Sequence, residues 1–467
     1  MKLARSLPIT AVTVAAMAVL AACGGSAPRS AAPASTSTLA AASAPTGTTT
    51  PAARAAPTTS ATTDGPTSTP SRSSDAPDAA MLVTSAAGVG VLGGDGRVRF
   101  DFSPAIASAD GSVIVSAHVS SDAANTVVDV HDGHTGAVRA TVTVPGEQLP
   151  AAVNARRVAL VSTIKEPTAT VEDGYIAGGR RTTRVTIVDI ERGKQIGSWE
   201  LNGNFMPEAF TSSSLSSSLA DSLVLLEYLP PERPTSYRVR WLQVDGTTTE
   251  LQLPSNWTEK GGGVDEQMQG FGRTHVLSPS GEVLYTLYRA PSTSQRAGHA
   301  FIHTLGLDIV RVYCLDLPDD LGFADVAGAL ATNADGSKLY AVNATGHLVE
   351  ITVRGERLGD QLAPPIISRT VDLGVDTDRG PMASITTTQG AIWVMAGTTV
   401  LKVDPSTLAV IERTTVPLAA SALGIWRGAP IVAGGTEIDR RLPTGQWVPA
   451  AELPLTLATP QALRELD

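Results

Sequence analysis

Cysteine is almost missing from this 467-residue chain: there are two, Cys23 and Cys314. So few cannot build a disulfide framework. Basic residues are also short, with 35 Lys and Arg against 45 Asp and Glu and a net charge of −10. That balance argues against nucleic acid or an anionic lipid surface as a partner. Aromatic residues make up only 4% of the chain, and none lies between residues 24 and 80. Long apolar runs are absent as well. The longest charge-free stretch at the start, residues 7–22, falls short of the roughly 20 residues a membrane-spanning helix needs. Helical periodicity is nearly absent, apart from an ambiguous segment near 216–228 and a short tail helix expected at "TPQALREL".

What is present begins with a basic start, Lys2 and Arg5, then the apolar stretch, then small residues ending in "VLAACGG". This order reads as a secretory signal over residues 1–22. "LAAC" resembles the lipobox of bacterial lipoproteins. The resemblance implies that Cys23 becomes the mature N-terminus and carries a diacylglyceryl group and palmitate. One acyl chain holds a protein to a membrane only marginally, whereas two hold it stably. Residues 24–80 are nearly all Ala, Ser, Thr, Pro and Gly. Such a segment cannot bury enough apolar surface to offset its chain entropy, so a disordered linker is expected. Its end-to-end reach is roughly 40 Å, more where proline stiffens it, and its Ser/Thr/Pro content suits an O-glycosylated stalk. With Cys23 lipidated, Cys314 is left as a buried inert thiol or an intermolecular partner.

From Met81 onward the chain repeats. "SPAIASADGSVIVSAHVS" (103–120) is echoed by "THVLSPSGEVLYTLY" (274–288) and "GALATNADGSKLYAVNATGHLVEITV" (328–353), and more weakly by "MASITTTQGAIWVMAGTTVLKVD" (382–404). Each is an apolar strand, a tight turn with glycine and a second alternating strand. A second element follows, as in "TVVDVHDGHTGAVRATVTV" and "VTIVDIERGKQIGSWEL", with a strand ending near Asp129, Asp189 or Asp404 and then a polar turn. Units of four short strands every 40–60 residues mark a β-propeller. The expected blades are 104–146, 147–203, 205–254, 272–320, 325–375 and 382–418. A seventh is expected from 420–456 joined to 81–102, which hides the edge strands. The propeller would span 81–456, with 457–467 as a tail.

Over 81–456 the chain resembles bacterial seven-bladed propellers of the YVTN/YncE-like and WD40-like group. "FIHTLGLDIVRVYCLDLPDD" (301–320) looks like segments of actinobacterial envelope propellers. The resemblance implies an all-β fold and leaves function open, since propellers host many unrelated activities.

Several chemical motifs dissolve on inspection. Gly88, Gly90 and Gly93 match G-x-G-x-x-G, but a turn and a strand follow where a dinucleotide site needs a helix. Ser162 and Lys165 match S-x-x-K, yet lie on a strand by pattern, where residues three apart face opposite sides. His131, Asp132 and His134 could hold a metal by chemistry but read as an exposed inter-strand turn. His118, His275, His299, His303 and His347 form no sequence cluster. Asn256 and Asn343 begin glycosylation sequons, which count as coincidence in a bacterial chain. No catalytic residue, cofactor or metal site is therefore expected.

Two insertions are longer than blade turns need, 165–184 and 254–273. Long loops on a rigid ring are where propellers hold ligands. The second couples Trp257 and Phe271 to Glu259, Asp265 and Glu266 across a Gly261–Gly263 hinge, and is the candidate ligand loop. The sequence thus reads as a lipid-anchored, extracytoplasmic, non-enzymatic scaffold for an envelope protein or small ligand. The alternative is an envelope quinoprotein-like dehydrogenase, because "VHDGHTGAVRATV" resembles the repeat of pyrroloquinoline-quinone propellers. Only Trp199 approaches that repeat's docking tryptophan, and a bound quinone would show in the absorbance spectrum.

Overall fold

The computed structural model describes residues 79–163, 179–211, 221–243, 251–252, 271–290, 298–308, 311–353, 357–358, 361–362, 365–375, 383–416 and 419–466. They form an all-β propeller of eight four-stranded antiparallel sheets, one more than the sequence predicts. The error lies in the closure. Residues 420–456 do not share a blade with 81–102. They supply four strands of their own, Ala422–Trp426, Ala429–Gly434, Glu437–Arg441 and Trp447–Glu452, which make blade 8.

Blade 1 is completed by the extreme C-terminus. Residues expected to form a helical tail are instead a strand, Ala462–Leu466, which pairs with Ala80–Thr84 in the register Ala80↔Leu466 to Thr84↔Ala462. Leu463 and Leu466 are both buried, on opposite sides of the strand: Leu463 packs with Met81 and Val83, Leu466 with Leu82 and Val91. Their spacing of three is also a helical one, so in a segment this short the two leucines mimic a helix face. The propeller therefore runs to residue 466, past the expected boundary at 456.

The remaining blades follow the chain in order. Their innermost strands are Ala105–Ala107, Gln148–Val153, Asn204–Phe210, Phe271–Leu277, Gly328–Thr332, Ala383–Thr388 and Ala422–Trp426, for blades 2 to 8. Leu223–Leu229, inside the segment with the ambiguous periodicity, is a strand of blade 4; residues 212–220 lie outside the described residues. Among the described residues no helix is long and apolar enough to cross a membrane.

The repeated turns explain the echoed sequences. At the first hairpin of blades 2, 5 and 6, a side-chain oxygen accepts the N–H five residues later. The pairs are Val113 N to Ser108 Oγ (3.0 Å), Val283 N to Ser278 Oγ (3.0 Å) and Lys338 N to Asn333 Oδ1 (2.8 Å). The glycine between them is left-handed, with φ +73° at Gly111 and +72° at Gly336, a conformation other residues adopt only with strain. In the outer turns an aspartate does the same work. Asp404 Oδ1 accepts the N–H of Ser406 (2.7 Å) and Asp189 Oδ1 that of Arg192 (2.8 Å). In blade 2 the capping residue is Asp132, three positions beyond the expected strand end at Asp129.

Six blades (1, 2, 3, 6, 7 and 8) share a β-bulge on the outermost strand, as between Lys402 and Val403 in blade 7. Blades 4 and 5 lack it among the described residues and carry a bulge on the innermost strand, shared only with blade 3. The packing changes at the same place. Blades 2 and 3 meet through Val, Ala, Leu and Ile. Blades 4 and 5 meet through Tyr237, Trp241, Tyr288 and Phe301. Larger side chains fill this seam, and together with the shifted bulges they mark the irregular sector of the ring.

Candidate functional site

The topology sorts the two ends of the ring. Ala80 and Leu466 are paired neighbours, so the chain joins and leaves the propeller on one face. Trp426 fastens that point, its Nε1 donating to Ala79 O at 3.0 Å. Connections between blades, and those between second and third strands, run across the opposite face. The strand ends that flank residues 164–178, 253–270 and 291–297 all open onto it.

A cavity of about 710 Å³ occupies the bore at this opposite face. It is lined by the first residues of inner strands, Gly328, Ala383 and Ala462 among them, and by the Ala86–Ala87 turn of blade 1. Its walls are mainly small and apolar, with hydroxyls from Ser384 and Thr386. Polar groups enter from blade 5, through His275 and Arg289. A cavity of this size, apolar with a few convergent polar groups, has the character of a ligand site.

Beside it, at the seam of blades 4 and 5, stands Glu208. Pro207 pairs with Leu225 and Ala209 with Val224, so Glu208 is the extra residue of the bulge. A bulge re-aims a side chain that would otherwise follow the ladder. Glu208 and His275 each stand four residues into their strands, at matching depth in adjacent blades. Burial pushes the Glu208 carboxyl up, and His275 pulls it back down. Tyr228 and Tyr288 lie within its electrostatic reach, and burial followed by the Glu208 charge drives both phenols well above their usual range. The rings form a ladder across the seam. Tyr228 meets Tyr237 edge-on at 6.3 Å, Tyr237 stacks on Tyr288 at 4.9 Å, and Tyr288 stacks on Phe301 at 5.4 Å. The Tyr237 hydroxyl lies near that of Tyr288 without a well-formed hydrogen bond.

Arg180 locks the rim of the same sector. Its guanidinium donates to Asn204 Oδ1 at 3.0 Å and to the carbonyl oxygens of Ser162 and Phe205. Burial lowers its pKa to about 10, against a smaller opposing pull from Tyr228.

The expected site residues fare unevenly. Trp257, Glu259, Asp265 and Glu266 lie outside the described residues, as does Asn256. Phe271 is not in a loop: it opens the innermost strand of blade 5 opposite Arg289, so the strand begins inside the insertion expected over 254–273. The insertion expected over 165–184 also ends early, with the strand Thr182–Asp189. Sequence reasoning missed Glu208, although a lone carboxylate in "NFMPEAF", an otherwise apolar inner strand, was a signal.

The other motifs resolve into structure. Gly88 precedes a strand, and a Cβ there would lie 2.1 Å from Phe102 O, so glycine serves close strand packing. His131 is a buried strand residue, correcting the expected exposed turn. It stacks on Phe102 at 3.8 Å, with Ser116 Oγ 2.9 Å from Nε2. Asp132 is held far below the usual carboxylate range, chiefly by Arg139. Ser162 is a strand residue whose Oγ accepts the Arg184 N–H at 3.0 Å; Lys165 lies outside the described residues. Asn343 is fully buried, its amide donating to Leu321 O at 2.7 Å, so this sequon offers no accessible side chain. His303 is buried beside Tyr288, and burial lowers its pKa to about 4. Cys314 is half-buried against the blade 4–5 seam rather than fully enclosed. Trp199 packs in the core between blades 3 and 4. Among the described residues no three His, Cys, Asp or Glu side chains converge on a metal position.

No protein-family model matches the chain, and no curated protein matches it. Solved structures do match in fold. Apo AztD from Citrobacter koseri is 11% identical with a TM-score of 0.46, over 83% of this chain and 98% of that one. The Dos1 propeller is 11% identical with a TM-score of 0.43, over 70% of this chain and 73% of that one. BamB from Moraxella catarrhalis is 13% identical with a TM-score of 0.38, over 76% of this chain and 88% of that one. Likeness at this level is a likeness of propeller architecture and assigns no activity.

Proposed function

We propose that this protein is a cell-envelope β-propeller, tethered to the outer side of the membrane by a lipid on Cys23. In this reading it works as a non-enzymatic scaffold that binds an envelope protein or small ligand. The observation that carries the reading is the polarity of the ring. Its two chain ends pair with each other on one face, while the bore cavity and the strands flanking the candidate loop belong to the other. A tether would join the ring at Ala80, on the face opposite the cavity.

Cys23→Ser tests the anchor. The variant is expected in the soluble fraction or as uncleaved precursor, and membrane retention at the wild-type level after a salt wash would defeat the lipid reading. The binding face is tested separately with Trp257→Ala, with the purified protein as bait for envelope proteins. Thermal stability is expected to hold while capture weakens by about 1–3 kcal/mol, as for an aromatic anchor. A destabilised variant that keeps its partners would place Trp257 in blade packing instead.

A further inference from the structure

We propose that the bore cavity binds a small organic carboxylate, its charged end held by Arg289 of blade 5 and its apolar body lying along the walls of small side chains. The proposal rests on reading the cavity face as the binding face and names the chemistry of its ligand. Among the described residues that line the cavity none is Asp or Glu, and Arg289 carries the only permanent charge. The wall is therefore positive in a chain whose net charge is −10. Arg289 sits near the end of the second strand of blade 5, Val283–Ala290, in register with Phe271. Its guanidinium is half-buried. The other polar side chains of the lining are His275, hydroxyls and the Gln461 amide, so none of them opposes a negative ligand. Ser384 Oγ accepts the Leu423 N–H at 3.1 Å, which leaves its own proton to donate. Glu208 is not part of this wall, and no described residue of blade 4 lines the cavity.

A guanidinium matches a carboxylate in charge and in planar, two-pronged geometry. A single arginine suits one negative charge rather than the two of a phosphate. Away from Arg289 the cavity offers Ala329, Ala383, Leu423 and Leu463, apolar surface with no partner for a second charge. Those walls suit an alkyl body, and about 710 Å³ is ample for one. Strain marks the far side. Thr459, on the segment that leads into the closing strand of blade 1, lines the cavity with φ +55°. A β-branched residue takes that conformation only under strain, and strained residues collect at ligand clamps. The Thr459 N–H is held by Gly435 O at 2.8 Å. In a ring of eight, blade 1 stands opposite blade 5, so a carboxylate anchored on Arg289 extends its body across the bore.

The test is calorimetric titration of the detergent-solubilised full-length protein with butyrate, set against acetate, inorganic phosphate, n-butanol and n-butylammonium. Butyrate is expected to bind saturably and about tenfold tighter than acetate, for its two extra methylenes, while n-butanol and n-butylammonium show no saturable binding. Arg289→Gln is expected to weaken butyrate at least tenfold, and Arg289→Lys by less. A measurement on the wild-type protein stands independent of any variant: butyrate should slow modification of Arg289 by phenylglyoxal, followed peptide by peptide in the mass spectrometer, and leave other arginines unprotected. Absence of saturable butyrate binding, equal affinity in Arg289→Gln, no protection of Arg289, or binding of acetate, phosphate or n-butylammonium as tight as that of butyrate would each overturn the carboxylate site. Capture of envelope proteins by wild type and by Trp257→Ala is scored separately, so failure here with capture intact removes the carboxylate site and leaves the scaffold.

Discussion

Deletion of residues 460–467 is expected to unfold the ring rather than trim its edge. The lost strand, Ala462–Leu466, is the innermost of blade 1 and supplies five registered partners to Ala80–Thr84. Leu463 belongs to the core that joins blades 8 and 1, with Met81, Val83 and Leu457, while Leu466 packs with Leu82, Val91 and Ile114. Burying two leucines contributes about 3–6 kcal/mol, and the ladder hydrogen bonds add about 0.5–1.5 kcal/mol each. The sum reaches the 5–15 kcal/mol that holds a typical domain folded. Deletion also bares the edge of Ala80–Thr84, a template for pairing with other chains. Gel filtration and limited proteolysis are expected to show aggregation and rapid digestion. A monomeric, protease-resistant product would mean that seven complete blades hold the ring without the strand.

Glu350→Ala is expected to cost about 3–5 kcal/mol in denaturant unfolding, as for a buried ion pair that loses one member. Glu350 is 2% exposed. It accepts from Lys338 Nζ at 3.1 Å, Ser368 Oγ at 2.8 Å and the Arg369 guanidinium. Arg369 in turn reaches into blade 7, donating to Ser406 O at 2.6 Å and Pro405 O at 2.9 Å. Without Glu350 two cations face each other and the staple between blades 6 and 7 loses its anchor.

Burial alone would raise the Glu350 carboxyl, but Arg369, Ser368 and Lys338 outweigh it and lower its pKa to about 2. An unfolded glutamate titrates near 4.5. The stabilisation is therefore complete above that value and disappears as the pH falls through about 2, amounting to about 3 kcal/mol by linkage. Glu350→Gln should flatten this acid limb of the stability curve. An unchanged acid limb would show that other carboxylates dominate acid unfolding. Glu208 has the opposite sign. Its raised value means stability falls as the pH climbs through it, so Glu208→Gln should gain stability at high pH.

The fold was largely legible because its signals are local. Glycine turns, side-chain clips at Ser108, Ser278 and Asn333, and aspartates at 189 and 404 act within five residues, and a single sequence displays them. The blade count was not legible because closure is the one pairing with nothing local about it. Ala80 and Leu466 stand at opposite ends of the domain, and five residues with two buried leucines three apart cannot announce a partner so distant. The candidate site was hidden for a related reason. Glu208 gains its meaning from a bulge on one blade and a histidine on the next, and strand pairing alone sets both. Aromatic residues misled in the other direction. Trp257 drew attention as a loop anchor, while Tyr228, Tyr237 and Tyr288, which look like ordinary strand residues, build the irregular seam.

The closing strand also sets a clock on the molecule's birth. A ribosome makes the chain from the N-terminus, so Ala80–Thr84 emerges early and waits for a partner at the far end of the domain. Individual hairpins can form on the way, but the circle cannot shut until Ala462–Leu466 has been made. Throughout that interval the polypeptide can still be threaded lengthwise through a narrow passage, and the arrival of that strand converts a thread into a ring.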